Sequence, residues 1–138
     1  MFSPIMKKIL FHLLLATAFL ASCNRESKDE RFCRQAREFT KTSCPKPMDQ
    51  YTVLDSLVYS IESKTMMYHY SVSGLMDTVS VYNSEMLSLF HSNLLDNIRH
   101  NIGLIELKQH AVTFHYRYVS STGKTEYMSF TFTPKDYE

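Results

Sequence analysis

Six histidines and three cysteines are the residues of this 138-residue chain best suited to chemistry. A metal site would need imidazoles and thiolates at ligand spacing, such as two histidines four apart on one helix face or a Cys-x-x-Cys pair. Neither pattern occurs. His91 and His100 are nine apart on an expected helix, which turns them to opposite faces at about 100° per residue. His69 and His115 fall on the outward side of expected strands and meet only if the register allows it. His110 stands alone, and His12 interrupts an apolar leader. Solvated histidines are expected, with no metal and no cofactor. The carboxylates are scattered singly, so the flanking pair of acid–base hydrolysis has no counterpart. There is no G-x-S-x-G elbow and no glycine-rich phosphate loop. No catalytic residue is expected, and the chain reads as a non-enzyme.

The third cysteine has a different setting. Lys7 and Lys8 precede a run of 12 residues, Ile9 to Leu20, that is apolar apart from His12 and Thr17. That run is too short for a bilayer core, which needs roughly 20 residues, and fits the h-region of an export signal. Leu20-Ala21-Ser22-Cys23 then resembles the lipobox of bacterial lipoproteins. The resemblance implies cleavage before Cys23, a thioether-linked diacylglycerol on its sulfur and acylation of the freed amine. Two or three acyl chains give stable anchoring where one is marginal. Residues 1–22 are thus expected to be a signal peptide, 23–30 a lipidated tether and 31–138 a single domain. Asn24 is not the aspartate of inner-membrane retention. Ser27-Lys28-Asp29-Glu30 is similar to the lysine-plus-acidic clusters of surface-exported lipoproteins. The expected location is the cell envelope, lipid-anchored, with the outer membrane as destination and the leaflet open.

In such an oxidising compartment Cys33 and Cys44 would pair by default. Geometry opposes this. Continuous helix between them would set them about 16 Å apart, whereas a disulfide needs roughly 4.4–6.8 Å between α-carbons. Either the helix stops early and the two bridge, or the thiols stay buried or pair between molecules.

The positioning elements follow from periodicity. Phe32, Ala36 and Phe39 predict a helix over 29–43, stopped at Cys44-Pro45-Lys46-Pro47. Residues 51–62 alternate, with Val53, Leu57, Tyr59 and Ile61 on one side and Asp55 interrupting it. Residues 64–73 alternate with Met66, Tyr68, Tyr70 and Val72 together, so the two form a hairpin. Leu87, Phe90, Leu94 and Ile98 predict a helix over 84–101, capped by Asn83 and ended by Gly103, with Ile102 returning to the core. Val112 to Val119 and Tyr127 to Thr133 alternate around Gly123, a second hairpin. The expectation is an α+β domain of order α-β-β-α-β-β: a four-stranded antiparallel sheet packed by one long helix, plus an N-terminal helix over an edge or the same face. The nine tyrosines and nine phenylalanines read mainly as core, with Tyr118 and Tyr127 as candidates for a surface patch.

The helix, Cys44-Pro45, Asp49-x-x-Thr52-x-Leu54 and Tyr68-x-Tyr70 together resemble a widespread group of small exported bacterial proteins without an assigned function. Phe114-x-Tyr116-x-Tyr118, Gly123 and Pro134 fit the same group. That resemblance implies a fold and no activity. With 15 basic against 14 acidic residues the chain lacks the positive footprint of a nucleic-acid binder. The expected partners are a membrane, through the lipid, and an envelope protein docked on a sheet edge or face. The alternative is a small-ligand or peptide-binding lipoprotein with a pocket between helix 84–101 and the sheet.

Overall fold

A hydroxyl and a carboxylate start the first helix. The computed structural model describes residues 25–123 and 125–138, so the leader, the lipobox and Cys23 lie outside the described residues. Helix α1 spans Lys28–Ser43. Ser27 Oγ accepts the Glu30 amide at 3.1 Å and Glu30 accepts the Ser27 amide at 2.7 Å, a reciprocal capping box. Phe32 and Ala36 are buried on its inner face.

The chain continues through β1 (Lys46–Pro47), β2 (Thr52–Ser60) and β3 (Thr65–Val72), then 3-10 turns at Gly74–Met76 and Val79–Val81. Helix α2 covers Ser84–His100, with Asn83 Oδ1 accepting the Met86 amide at 3.0 Å. A 3-10 turn at Ile102–Leu104 leads into α3 (Ile105–Gln109), β4 (Thr113–Ser120), β5 (Glu126–Phe132) and α4 (Pro134–Tyr137). Glycine is required at Gly123, whose φ of +72° lies in the left-handed region.

The α+β class is as expected, but the sheet corrects the expectation twice. It has five strands in the order β1-β2-β3-β4-β5, because the short β1 pairs with β2. It is mixed rather than antiparallel: β3 and β4 run parallel from Thr65↔Thr113 to Val72↔Ser120. The length of α2 explains this. Its 17 residues rise about 25 Å, and the 8 residues of β3 span about 26 Å. The helix therefore carries the chain back along the whole strand, and β4 starts beside the start of β3. A crossover connection is what parallel neighbours require.

Two local expectations also fail. A bulge between Leu54 and Ser56 absorbs Asp55, so Leu54 rather than Val53 joins Tyr59 in the core. Asn101, not Gly103, caps α2, and Ile102 points outward at 82% exposure because the chain turns there into the 3-10 segment.

Ile98, Val112, Phe114, Phe132 and Val72 are fully buried and centre a core shared by the helices and one sheet face. The opposite face, with Met67, His69, His115, Arg117 and Val119, is only half-buried and supplies nothing to that core. Beyond Leu54 the outer edge of β2 has no strand neighbour, and α1 closes it. Thr40 Oγ1 donates to the Leu57 carbonyl and accepts the Leu57 amide, each at 2.8 Å. One hydroxyl thus stands in for a missing strand. Thr40→Val keeps the shape and orphans both backbone groups. It is expected to lower unfolding free energy by about 1–3 kcal/mol, read as a drop in urea midpoint, whereas Thr40→Ser should hold near wild type.

Candidate functional site

Helices α1 and α2 pack towards opposite margins of one sheet face. Helix α1 packs along β2, with Phe32 edge-on to Tyr59. Helix α2 lies towards β4 and β5, where Phe90 meets Tyr118 and His91 meets Phe130 and Phe132. Between α2 and the segment 48–52 runs a groove floored by four tyrosines of β3 and β4. Parallel pairing sets Tyr68 opposite Tyr116 and Tyr70 opposite Tyr118. The rings stack at centroid distances of 4.7 and 4.6 Å, and the step from Tyr68 to Tyr70 is 6.5 Å.

The groove has two main lobes, of about 390 and 360 Å³, which share Met48, Tyr70, Phe90 and Tyr118. Asn93, Asn97 and Asn101, four apart along the end of α2, form the wall of the larger lobe. A third depression of about 290 Å³, between α1 and α3, joins it through Tyr68 and Leu104.

Electrostatically the floor is unusual in one respect. Tyr70, Tyr116 and Tyr118 are 9%, 4% and 6% exposed. The hydroxyls of all four tyrosines nevertheless have no hydrogen-bond partner among the described residues. The other buried tyrosines do: Tyr59 donates to Asp29 at 2.6 Å and Tyr137 to the Val112 carbonyl at 2.7 Å. None of the four floor hydroxyls is sealed from the groove, since the one fully enclosed unpaired side-chain atom among the described residues is Arg31 Nε. Burial pushes the Tyr70 phenol up to about 12 and holds Tyr68, Tyr116 and Tyr118 higher still. All four are neutral donor–acceptors at physiological pH.

The residues singled out by sequence are dispersed. Cys33 and Cys44 are free thiols near opposite ends of a helix that is continuous to Ser43, so the intramolecular bridge is not formed. Burial pushes the Cys44 thiol up. His69 stands opposite Arg117, while Met67 stands opposite His115, which makes the two histidines diagonal neighbours. His115 Nδ1 shares a proton with Thr131 at 2.9 Å. His100 pairs with Asp96 at 3.0 Å and His110 with Asp29 at 3.0 Å. Tyr118 belongs to the groove floor rather than to a surface patch. Tyr127 donates to Asp77 at 2.7 Å and stacks on Tyr82. Sequence reasoning put helix 84–101 over the sheet but missed the asparagine wall. The signal was present: Asn93, Asn97 and Asn101 recur at helical spacing beside Leu94 and Ile98.

Comparison with known proteins fits this architecture. A family described as a domain of unknown function, DUF8479, matches residues 27–128. The chain belongs to that family. The match starts at the serine that caps α1. No curated protein matches the chain. Two solved structures share the fold. One, from Pseudomonas aeruginosa, is described as a candidate secreted protein; it has 16% identity and a TM-score of 0.59, over 80% of this chain and 96% of the other. The second is the pilotin EpsS of the Vibrio vulnificus type 2 secretion system, with 8% identity and a TM-score of 0.59, over 80% of this chain and 91% of the other. At these identities the likeness is one of fold. Among the described residues no helix is long and apolar enough to cross a membrane.

The raised phenols fix the sign of an alkaline effect. Below pH 10 folded and unfolded chains both keep these protons. Above it the unfolded chain releases them while the folded one still holds them, so stability falls as pH rises towards the folded values. Urea unfolding is expected to give a level midpoint from pH 7 to 9 and a falling one above about pH 10. A midpoint that rose there would contradict the burial of the ladder.

Proposed function

We propose that this chain is a non-enzymatic, lipid-anchored docking module of the cell envelope, which receives a segment of a partner protein in the groove between α2 and the segment 48–52. The observation that carries the reading is the row of four neutral tyrosine hydroxyls that open to the groove and have no hydrogen-bond partner among the described residues. Hydroxyls that open to a groove both donate and accept, so a ligand seated there finds partners along its length. Besides the tyrosines, the only titratable group at the two main lobes is one carboxylate, Asp49, and neutral phenols held above their usual range suit binding better than proton transfer.

Anchoring belongs to the same proposal. The lipobox Leu20-Ala21-Ser22-Cys23 supports lipid on Cys23, with the outer membrane as the expected location. The fold likeness to a candidate secreted protein and to a secretion-system pilotin is compatible with an envelope role. The capping box at Ser27 and Glu30 bears on the tether, because α1 already begins at Lys28. A lipidated Cys23 would then be joined to the fold by only residues 24–26, about 10 Å of chain when extended.

A small-molecule site is the second reading, favoured by the larger lobe lying between α2 and the sheet at about 390 Å³, within the usual range for ligand pockets. The continuity of the lobes through shared residues argues for an elongated occupant instead.

Photocrosslinking in cells distinguishes these. A benzophenone side chain at position 93 or 97, on the groove wall, is expected to trap one constant protein, and one at Ser56 or Ser129, on the other sheet face, is not. Adducts from the outer face alone would overturn the docking role. Mass spectrometry of the native N-terminus tests the anchor separately, with a diacylglyceryl Cys23 expected and an unmodified residue contrary to it.

A further inference from the structure

We infer that the end of the domain from which the tether leaves lies directly against the bilayer, with Ile61, Ile102 and Ile105 entering the lipid interface and the Asp49 end of the groove held away from the membrane. The inference rests on the lipid anchor proposed above and adds to it a contact surface and an orientation.

Hydrogen bonds and ion pairs assemble that end. Asp29, in the first turn of α1, accepts the Tyr59 hydroxyl near the end of β2 at 2.6 Å and meets His110 at 3.0 Å. Arg31 pairs with Glu106 of α3. The Lys64 carbonyl, in the turn 61–64, accepts the Thr113 amide at the start of β4 at 2.9 Å. Lys108 of α3 donates to the Arg99 carbonyl in the last turn of α2 at 2.7 Å. Arg99 in turn donates to the Asp136 carbonyl of α4 at 2.6 Å. The start of α1, the β2–β3 turn, α3, the end of α2 and α4 therefore share one end of the sheet.

Three isoleucines are exposed there, Ile61 in the turn and Ile102 and Ile105 between α2 and α3. The Ile105 amide donates to the Ile102 carbonyl, and residues three apart in such a turn lie on one side. Charge at this end cancels. Residues 25–31, 61–64, 99–110 and 134–138 hold seven basic and seven acidic side chains. What this end offers a bilayer is an apolar contact, of the kind that sinks about 5–10 Å into the headgroup boundary.

Exposed apolar side chains are ordinary singly, and the opposite end has two of its own, Leu75 and Val79. The tether decides between the ends. Residues 24–26 reach about 10 Å at most. The pairings Ser60↔Thr65 and Thr52↔Val72 set the Asp49 end one strand length, about 26 Å, from the turn 61–64. A lipidated Cys23 thus keeps the isoleucine end at the bilayer and cannot bring Leu75 and Val79 down to it.

The chain contains no tryptophan, so an introduced indole reports its own depth. The mature lipidated chain is placed in vesicles of phosphatidylethanolamine and phosphatidylglycerol with brominated acyl chains, which quench an indole that reaches the interface. Ile61→Trp and Ile102→Trp are each expected to lose about half their emission, at low and high salt alike. Leu75→Trp, at the far end, and Leu89→Trp, on α2, are expected to keep theirs. All four positions are exposed, so the indole replaces no packed side chain, and an unchanged circular-dichroism spectrum checks the fold. Quenching at Leu89 and Ile102 without Ile61 would mean a domain lying on its helices and would overturn the orientation, as would quenching at Leu75. No quenching at any of the four, with diacylglyceryl on Cys23 confirmed by mass spectrometry, would overturn the contact and leave the anchor standing. An unmodified Cys23 in the native protein would remove both.

Discussion

The parallel seam between β3 and β4 is the constraint from which the rest follows. Parallel pairing in continuous register, from Thr65↔Thr113 to Val72↔Ser120, puts like-spaced side chains of two Tyr-x-Tyr motifs side by side. That is why Tyr68 stacks on Tyr116 and Tyr70 on Tyr118 with planes within 7° and 9°. Offset aromatic pairs contribute about 0.5–1.5 kcal/mol each beyond area burial. Against this stands the partial loss of water around hydroxyls that have no partner among the described residues. The ladder is held in place by stacking and by the fully buried Phe114, Phe132 and Val72, while its polar rim opens to the groove. A floor built only for stability would end in phenylalanine.

The seam also dictates the connection, and the connection leaves the groove. Between parallel strands the chain must cross the sheet, and α2 does so over β4 and β5. Helix α1 is fixed at the other margin because β2 has an edge to close, through the two hydrogen bonds of Thr40 to Leu57. Each helix serves a need at its own side, and neither is drawn to the centre. Arg31 to Glu106, and Asp29 to both Tyr59 and His110, tie α1 to β2 and α3 at the closed end of the trough. The Tyr59 hydrogen bond, chiefly, holds the Asp29 carboxyl below the usual carboxylate range.

Much of this was legible in the sequence, and what was not has a physical reason. Residues at i, i+4 and i+7 placed α1 and α2 to within two residues, and alternation put Met66, Tyr68, Tyr70 and Val72 on one face. Pairing sense was hidden, since alternation along a strand is the same in parallel and antiparallel neighbours; only comparing the length of α2 with that of β3 reveals the crossover. The bulge at Asp55 was visible as an interruption but not as a shift that moves Leu54 inward. The expected antiparallel four-stranded sheet failed on these points and on a two-residue strand, Lys46–Pro47, too short to carry a pattern. The groove was missed because tyrosines at core spacing read as core. Alternation reports which side of a strand faces inward, not whether the space there is filled.

The first turn of α1 shows how one stretch can satisfy two demands. Lys28, Asp29 and Glu30 resemble a sorting cluster when read as sequence, yet Glu30 closes the capping box and Asp29 is shared by Tyr59 and His110. A sorting signal has to be accessible to whatever reads it. Asp29 has only about a fifth of its side chain exposed, while Lys28 and Glu30 stay exposed. The acidic side chains here are therefore accounted for by folding: they accept backbone amide and phenol protons at the helix start, where the positive end of the helix dipole also favours them. Lys28 is left as the member of the cluster without a structural task.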